Sequence, residues 1–310
     1  VKNRDRDDSS VDLYSVPITG GASVQISNTP DNMDVSKFKF SPDDQYLVYQ
    51  SHNTVSLDGL VYSAQSATGQ GNRRISYPDE DVDHGEFAIS CDSRTVYYRN
   101  RHTNPELQKA YSVPITGGTI TQLPSYELPV IDCGGGGGGD EEEVARIFID
   151  DRGTPNKNEL YSESTSGIVT KISQALGPDG DVFTFERTPD GEHVVYSADV
   201  QNDRAELFVV PSAGGTITKI STAPTVFDDG TSSDVIRFVI SPNGQRVAYA
   251  ADPNEWTKYE LYSVALTGGT AARISHQLPF DYGVDDFKFS PSSQRVIYCA
   301  GRTSIGLWEL

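Results

Sequence analysis

Cysteine is scarce. The chain has three, Cys91, Cys133 and Cys299, among 310 residues. They lie far apart, are odd in number, and show none of the spacings of zinc clusters or redox pairs. They read as isolated buried thiols and carry no information about the compartment. Cations are scarce as well. Twenty-five Lys and Arg face 44 Asp and Glu, for a formal net charge of −19. That balance argues against a nucleic-acid partner, because phosphate backbones need clustered cations. Cations and basic protein surfaces are the favoured partners. Apolar runs are short, far from the roughly 20 residues of a membrane helix, so no membrane span is expected.

Familiar catalytic motifs are missing too. There is no Gly-x-Ser-x-Gly elbow, no His-Glu-x-x-His and no phosphate loop. The Ser-x-Asp-x-Gly-x-Thr-Trp box of sialidases is also absent. The five His are scattered. Metal-assisted chemistry would want several of them at one point. His52, His84, His102 and His276 fall in loops of one expected face, so convergence stays open beside the plainer reading of surface His. With no starting Met and no signal-peptide core, the chain reads as mature, processed or truncated.

What the chain has is Gly, Pro and Tyr: 28, 17 and 16 of them. Such a composition suits turns and strands rather than helices. Two phrases recur. The first is Phe-x-apolar-Ser-Pro-Asp/Asn-Gly-Gln-Arg-Val-x-Tyr. Its Ser/Thr and Tyr stand eight apart at Ser41/Tyr49, Ser90/Tyr98, Thr188/Tyr196, Ser241/Tyr249 and Ser290/Tyr298. A Phe precedes each Ser/Thr by three: Phe38, Phe87, Phe185, Phe238 and Phe287. The second phrase is Glu-Leu-Tyr-Ser-Val-Pro-x-Thr-Gly-Gly-Thr-x-x-x-Ile-Ser. Its aromatic recurs at Tyr14, Tyr62, Tyr111, Tyr161, Phe208, Tyr262 and Trp308, about fifty residues apart each time. Seven marks enclose six periods.

Each period reads as four strands, A to D. A Pro-Asp-Gly or Pro-Asn-Gly turn joins A to B, and Thr-Gly-Gly joins C to D. Alternating β-branched and aromatic residues support strands throughout. Serial four-stranded units of this length predict an all-β fold, a six-bladed β-propeller with four-stranded antiparallel blades. The whole chain, residues 1–310, is expected to be one such domain, its last blade closed by an N-terminal strand. There is one C-like strand too many. Either Asp12–Pro17 or Gly306–Leu310 must take an unusual place.

The phrases resemble the TolB-type propeller repeat, the Pro-Asp relative of WD-type repeats. The resemblance rests on FKFSPDDQYLVY (38–49), FVISPNGQRVAYAAD (238–252), FKFSPSSQRVIY (287–298), ELYSVALTGGTAARIS (260–275) and LYSVPITGG (13–21). It covers nearly the whole chain and speaks to fold more than to function. Relatives of this kind include periplasmic protein-binding propellers, gating propellers of large peptidases, and propeller lyases. One unit departs. Gly134–Gly139 fall on strand A of the third blade, where glycine packs nothing and costs about 0.5–1 kcal/mol per residue. The run is either a flexible gap or a set of letters standing for unidentified side chains; the second is favoured.

Short A–B and C–D turns share one end of such a blade, and the longer D–A and B–C connectors share the other. Binding residues gather on long connectors held by a rigid frame. Seven residues before the anchor Ser/Thr stand Asp34, Asp83, Asp181 and Asp234. The last unit has Gly283 there, flanked by Asp281 and Asp285, and the third has Cys133 beside Asp132. These aspartates would ring a central opening. Such a ring would hold Ca²⁺, with Asp34, Asp83, Asp181 and Asp234 as metal ligands, or a basic peptide. The competing reading is that each aspartate caps its own loop through backbone N–H groups. Asp151, Asp199 and Asp252, upstream of Glu159, Glu206 and Glu260, form a second set read as loop braces. His84 beside Asp83, and Trp256 as an exposed aromatic, complete the ligand-binding candidates.

The expected function is a non-enzymatic binding or scaffold propeller. It would recognise a protein or peptide, a basic surface favoured, at an acidic opening, in a secreted or periplasmic setting. No cofactor is implied beyond Ca²⁺. The alternatives are a metal-assisted lyase or hydrolase with a central site, and the gating propeller of a larger peptidase.

Overall fold

A computed structural model describes residues 11–29, 33–53, 59–77, 82–100, 107–124, 128–129, 144–200, 205–221, 235–251, 259–276 and 283–301. Among them there is no α-helix. The strands form six antiparallel sheets, each ordered A-B-C-D by hydrogen bonding where all four strands are described. Sheet 1 is Met33–Phe40, Tyr46–Asn53, Gly59–Gln65 and Arg73–Arg74. Sheet 2 is Val82–Ile89, Thr95–Asn100, Ala110–Pro114 and Thr121–Gln122. Sheet 3 has three described strands, Val144–Asp150, Glu159–Ser164 and Val169–Lys171. Sheet 4 is Val182–Arg187, His193–Asp199, Ala205–Pro211 and Thr218–Lys219. Sheet 5 is Val235–Ile240, Arg246–Ala251, Glu260–Ala265 and Ala272–Arg273. Sheet 6 joins Val284–Phe289 and Arg295–Gly301 to the N-terminal Val11–Pro17 and Val24–Gln25.

Val11–Pro17 therefore fills the C position of sheet 6, paired along its whole length with Arg295–Gly301. Gly306–Leu310 and Gly134–Gly139 lie outside the described residues. The cysteines differ from expectation. Cys299 is a free, buried thiol, but Cys91 is exposed and disulfide-bonded. It stands at the proline position of an A–B turn, where the chain is already held on the surface.

Each repeated letter has a physical job. The two aromatics of a period face each other across strands B and C. Tyr49 sits opposite Tyr62, Tyr196 opposite Phe208, and Tyr249 opposite Tyr262. Their ring centroids lie 5.2, 5.5 and 5.5 Å apart, close to parallel. Such cross-strand pairs stabilise a sheet by more than the area they bury. Burial pushes the Tyr196 phenol up to about 12.

The Ser or Thr of the A–B turn closes it. Ser41 Oγ donates to Asp43 Oδ1 at 2.6 Å and accepts from Tyr46 N at 2.9 Å. Thr188 does the same with Asp190 and His193. Gly191 and Gly244 then take φ of +76° and +68°, a region that favours glycine. The Ile-Ser at the end of strand D ties D to C. Its serine accepts the N–H of a strand C leucine or valine at 2.9–3.1 Å, at Ser27, Ser76, Ser173, Ser221 and Ser275.

The chain divides into two compact units. One holds Val1–Pro17, Ala22–Gly135 and Asp285–Leu310; the other holds Ile18–Gly21 and Gly136–Val284. In the first, a buried cluster between sheets 1 and 2 joins Val48, Val61, Phe87, Tyr98 and Val113. A second joins sheets 6 and 1 through Leu13, Cys299, Phe38, Leu47 and Tyr49. In the second unit, Leu160, Ile172, Val194 and Phe208 fill the space between sheets 3 and 4. Val195, Val209, Phe238, Tyr249 and Val264 do so between sheets 4 and 5. Within each unit, then, successive sheets pack face to face, which is how the blades of a β-propeller bury their apolar faces.

Candidate functional site

The connectors between strands D and A brace the neighbouring sheet. Asp34 Oδ1 accepts the N–H of Val11 at 2.8 Å, where the C strand of sheet 6 begins. In the second unit, Asp181 Oδ1 accepts the N–H of Asn158 at 2.6 Å, just before the C strand of sheet 3. Val182 N returns a bond to Asn158 O at 2.9 Å. At Gly283 the carboxylate is missing, but Val284 N still donates to Tyr259 O at 2.9 Å. A Cβ on Gly283 would lie 3.1 Å from Tyr259 N. The repeated aspartate thus fastens the entry of strand A to the start of a preceding strand C.

A second repeated carboxylate stands at the start of strand C. Glu159 is buried and pairs with Lys171 of strand D, while Tyr161 Oη donates to its other oxygen at 2.8 Å. Burial pushes the Glu159 carboxyl up; bonds from Lys171 and Tyr161, with the charges of Lys171 and Lys157, outweigh it. The carboxyl is held below its ordinary range. Glu206 pairs with Lys219, and Glu260 with Arg273 at 3.0 Å. In sheet 6 the position is Asp12, which accepts from Ser27 Oγ at 2.6 Å and Gln25 Nε2 at 3.0 Å. These acids hold strand D onto strand C. Of the second expected set, Asp151 is exposed. Asp199 is buried, and its N–H donates to Asp181 O at 2.9 Å. Asp252 lies outside the described residues.

The A strands show a feature that the sequence pattern did not carry. Strand A shifts register against strand B between Val35 and Lys37, between Val182 and Thr184, and between Val235 and Arg237. The residue inside each shift is Ser36, Phe183 or Ile236, and each is exposed, Phe183 by 55% and Ile236 by 49%. A bulge turns one side chain out of the pleat. Its neighbours Lys37, Thr184 and Arg237 are exposed as well. No residue type marks the position, so no repeat of letters betrays it.

The remaining candidates are placed as follows. Asp83 and His84 belong to Val82–Ile89, and Asp285 to Val284–Phe289, by their backbones. Asp234, Trp256 and Asp281 lie outside the described residues. Among the described residues, no three His, Cys, Asp or Glu gather closely enough to hold a metal ion. Asp34 and Asp181 each accept a backbone N–H through Oδ1, a capping use of a carboxylate.

A pocket of about 390 Å³ opens in the second unit at the C–D turn of sheet 3. Hydroxyls of Ser162, Ser164, Thr165, Ser166 and Thr170 line it, with Ile168 and Ala213. Here Ser164–Gly167 stands where sheets 2, 5 and 6 have Thr-Gly-Gly.

No family model and no curated protein matches the chain. Solved structures do. A TolB-type protein from Agrobacterium tumefaciens is 15% identical, with a TM-score of 0.43, over 95% of this chain and 99% of that one. TolB from Acinetobacter baumannii is 12% identical, with a TM-score of 0.32, over 96% of this chain and 65% of that one. An oligogalacturonate lyase in complex with manganese is 10% identical, with a TM-score of 0.39, over 96% and 97%. Among the described residues no helix is long and apolar enough to cross a membrane. The antiparallel four-stranded sheets, stacked face to face within each unit, make the fold a β-propeller.

Proposed function

We propose that the chain is a binding module, a propeller scaffold that holds a protein or peptide on its inner strands and connectors without chemistry of its own. The bulged inner strands carry this reading. They hold Phe183 and Ile236 out to solvent in one unit, and Ser36 and Lys37 in the other, on backbone fixed by its sheet. Exposed apolar groups on a rigid frame mark interaction surfaces. By contrast, the described carboxylates of the repeat are occupied in bracing and pairing, a structural use. The net charge of −19 favours a partner with basic surface elsewhere on the protein. A secreted or periplasmic setting is part of the proposal, and the disulfide at Cys91 supports it, since disulfides persist in oxidising compartments.

The test is an array of short random peptides probed with the labelled full chain and with a Phe183→Ser/Ile236→Ser variant. Binding of a subset of peptides, reduced in the variant, is expected. Failure to bind any peptide, together with turnover of an acidic polysaccharide, would replace this reading with the lyase.

A further inference from the structure

The inner strands of the first unit carry lysines that the overall acidity of the chain does not suggest. Lys39 and Lys288 occupy the same place in the repeat, directly after the Phe of strand A. Lys39 Nζ lies 5.2 Å from the ring centroid of Phe87, on the inner strand of sheet 2, and donates to Phe87 O at 2.8 Å. Lys288 Nζ lies 5.0 Å from the ring centroid of Phe38 on sheet 1. Lys37 stands two residues before Lys39, and all three residues are exposed.

The ring faces attract the two ammonium groups. They do not explain why lysine stands at this place. The same place holds Ala88, Glu186 and Val239 in sheets 2, 4 and 5, so the fold does not require a cation there. Glu186 is held above its ordinary value by burial, although Ile240 donates its backbone N–H to it. Burial, then the charges of Lys288 and Lys37, hold the Lys39 ammonium below its ordinary value. Lys288, seated on the ring of Phe38, and Lys37, two residues along the same strand, thus flank Lys39. On the same strands, Asp286 turns Oδ1 to the N–H of Phe287 at 2.9 Å. Among the described strands, strand A of these sheets pairs with strand B alone. Its other edge offers main-chain groups to an extended chain, the usual route for strand addition.

We propose that Lys37, Lys39 and Lys288 form an anion site on the inner strands of sheets 1 and 6, for a ligand with several carboxylates, an acidic stretch of peptide. The inference rests on the binding-module reading only in taking the ligand to be a peptide.

Labelled hexaglutamate, titrated into the full chain and followed by fluorescence anisotropy, tests it. Saturable binding is expected, weakened by added salt. The Lys39→Gln/Lys288→Gln variant should lose about 25-fold in affinity, roughly fivefold per lysine, the upper range for an exposed ion pair. Its thermal melt by circular dichroism checks that it is folded. Lys219→Gln, which removes a lysine from an outer strand of the other unit, should leave affinity unchanged. Citrate competing as well as unlabelled hexaglutamate would keep the site and assign it to a small polycarboxylate. Equal affinity in wild type and double variant, an equal loss in Lys219→Gln, or no binding would overturn the site. If hexaglutamate fails while array peptides bind, the anion site alone falls; if both fail, so does the binding module.

Discussion

Strands Met33–Phe40 and Val182–Arg187 follow the same path. Each ends in the same hydroxyl-closed turn, and each carries a bulge five residues before it, at Ser36 and at Phe183. What they hold out differs. In the first unit the exposed groups are Ser36, Lys37 and Lys39; in the second they are Phe183, Thr184 and Glu186, with Ile236 and Arg237 on the next sheet. The backbone is common property of the repeat, and the outward groups are not. Residues under the demand of packing repeat, while residues at the bulge are released from it and vary. That division separates scaffold from recognition surface in a chain whose units are otherwise alike.

The comparison breaks first if the scaffold is not common. Tyr49→Ala in sheet 1 and Tyr196→Ala in sheet 4 each empty a fully buried site opposite a stacked aromatic. Each should cost about 3–5 kcal/mol in urea unfolding, with similar values in the two units. A loss confined to one would show that its repeat is not bearing the same load.

Pairing at the start of strand C comes next. Glu159→Gln should cost about 1–2 kcal/mol, less than a fully buried pair because Lys171 is partly exposed. The sign with pH follows from a carboxyl held low in the folded chain. Its contribution is complete above the ordinary carboxylate pKa and is lost as pH falls through the folded value. Chemical denaturation across that acid range should therefore show a shallower decline in the variant than in wild type. An unchanged slope would remove Glu159 from the acid response.

Asp181→Ala should cost about 1 kcal/mol, for one backbone N–H left without its acceptor beside a surviving backbone bond. A Ca²⁺ titration of the same pair of proteins sharpens the outcome. Stabilisation of wild type by Ca²⁺, lost in the variant, would support the cation ring expected at Asp34, Asp83, Asp181 and Asp234. Smallest in stability are the outward groups. Phe183→Ser, Ile236→Ser and Lys288→Gln should each stay within about 0.5 kcal/mol of wild type, with their effects confined to binding. The disulfide has its own check: alkylation of the unfolded, unreduced chain should leave Cys91 unmodified, and reduction should expose it.

Much of this architecture was legible because it is enforced locally. The aromatic pairs recur in all six sheets, and the turn Ser/Thr and the Ile-Ser in five each, because each satisfies a need that returns with the repeat. The aspartates were legible as a position but not as a job. Seven residues before the anchor, the same carboxylate suits a cation or a backbone N–H, and the approach of Val11 and Asn158 is not written in the sequence. The bulge was hidden because it is a property of register rather than residue type. The lysines were hidden because Lys39 and Lys288 stand at opposite ends of the chain, and a net charge averages over them. Cys91 was read as buried from composition, whereas its turn position places it on the surface.

Hydrogen exchange read by mass spectrometry, with and without saturating hexaglutamate, reaches the division between frame and surface most directly. Slowed exchange at 33–40 and 284–289, with little change in the outer strands Gly59–Gln65 and Arg73–Arg74, is the expected pattern. Protection on those outer strands with none at 33–40 would contradict it.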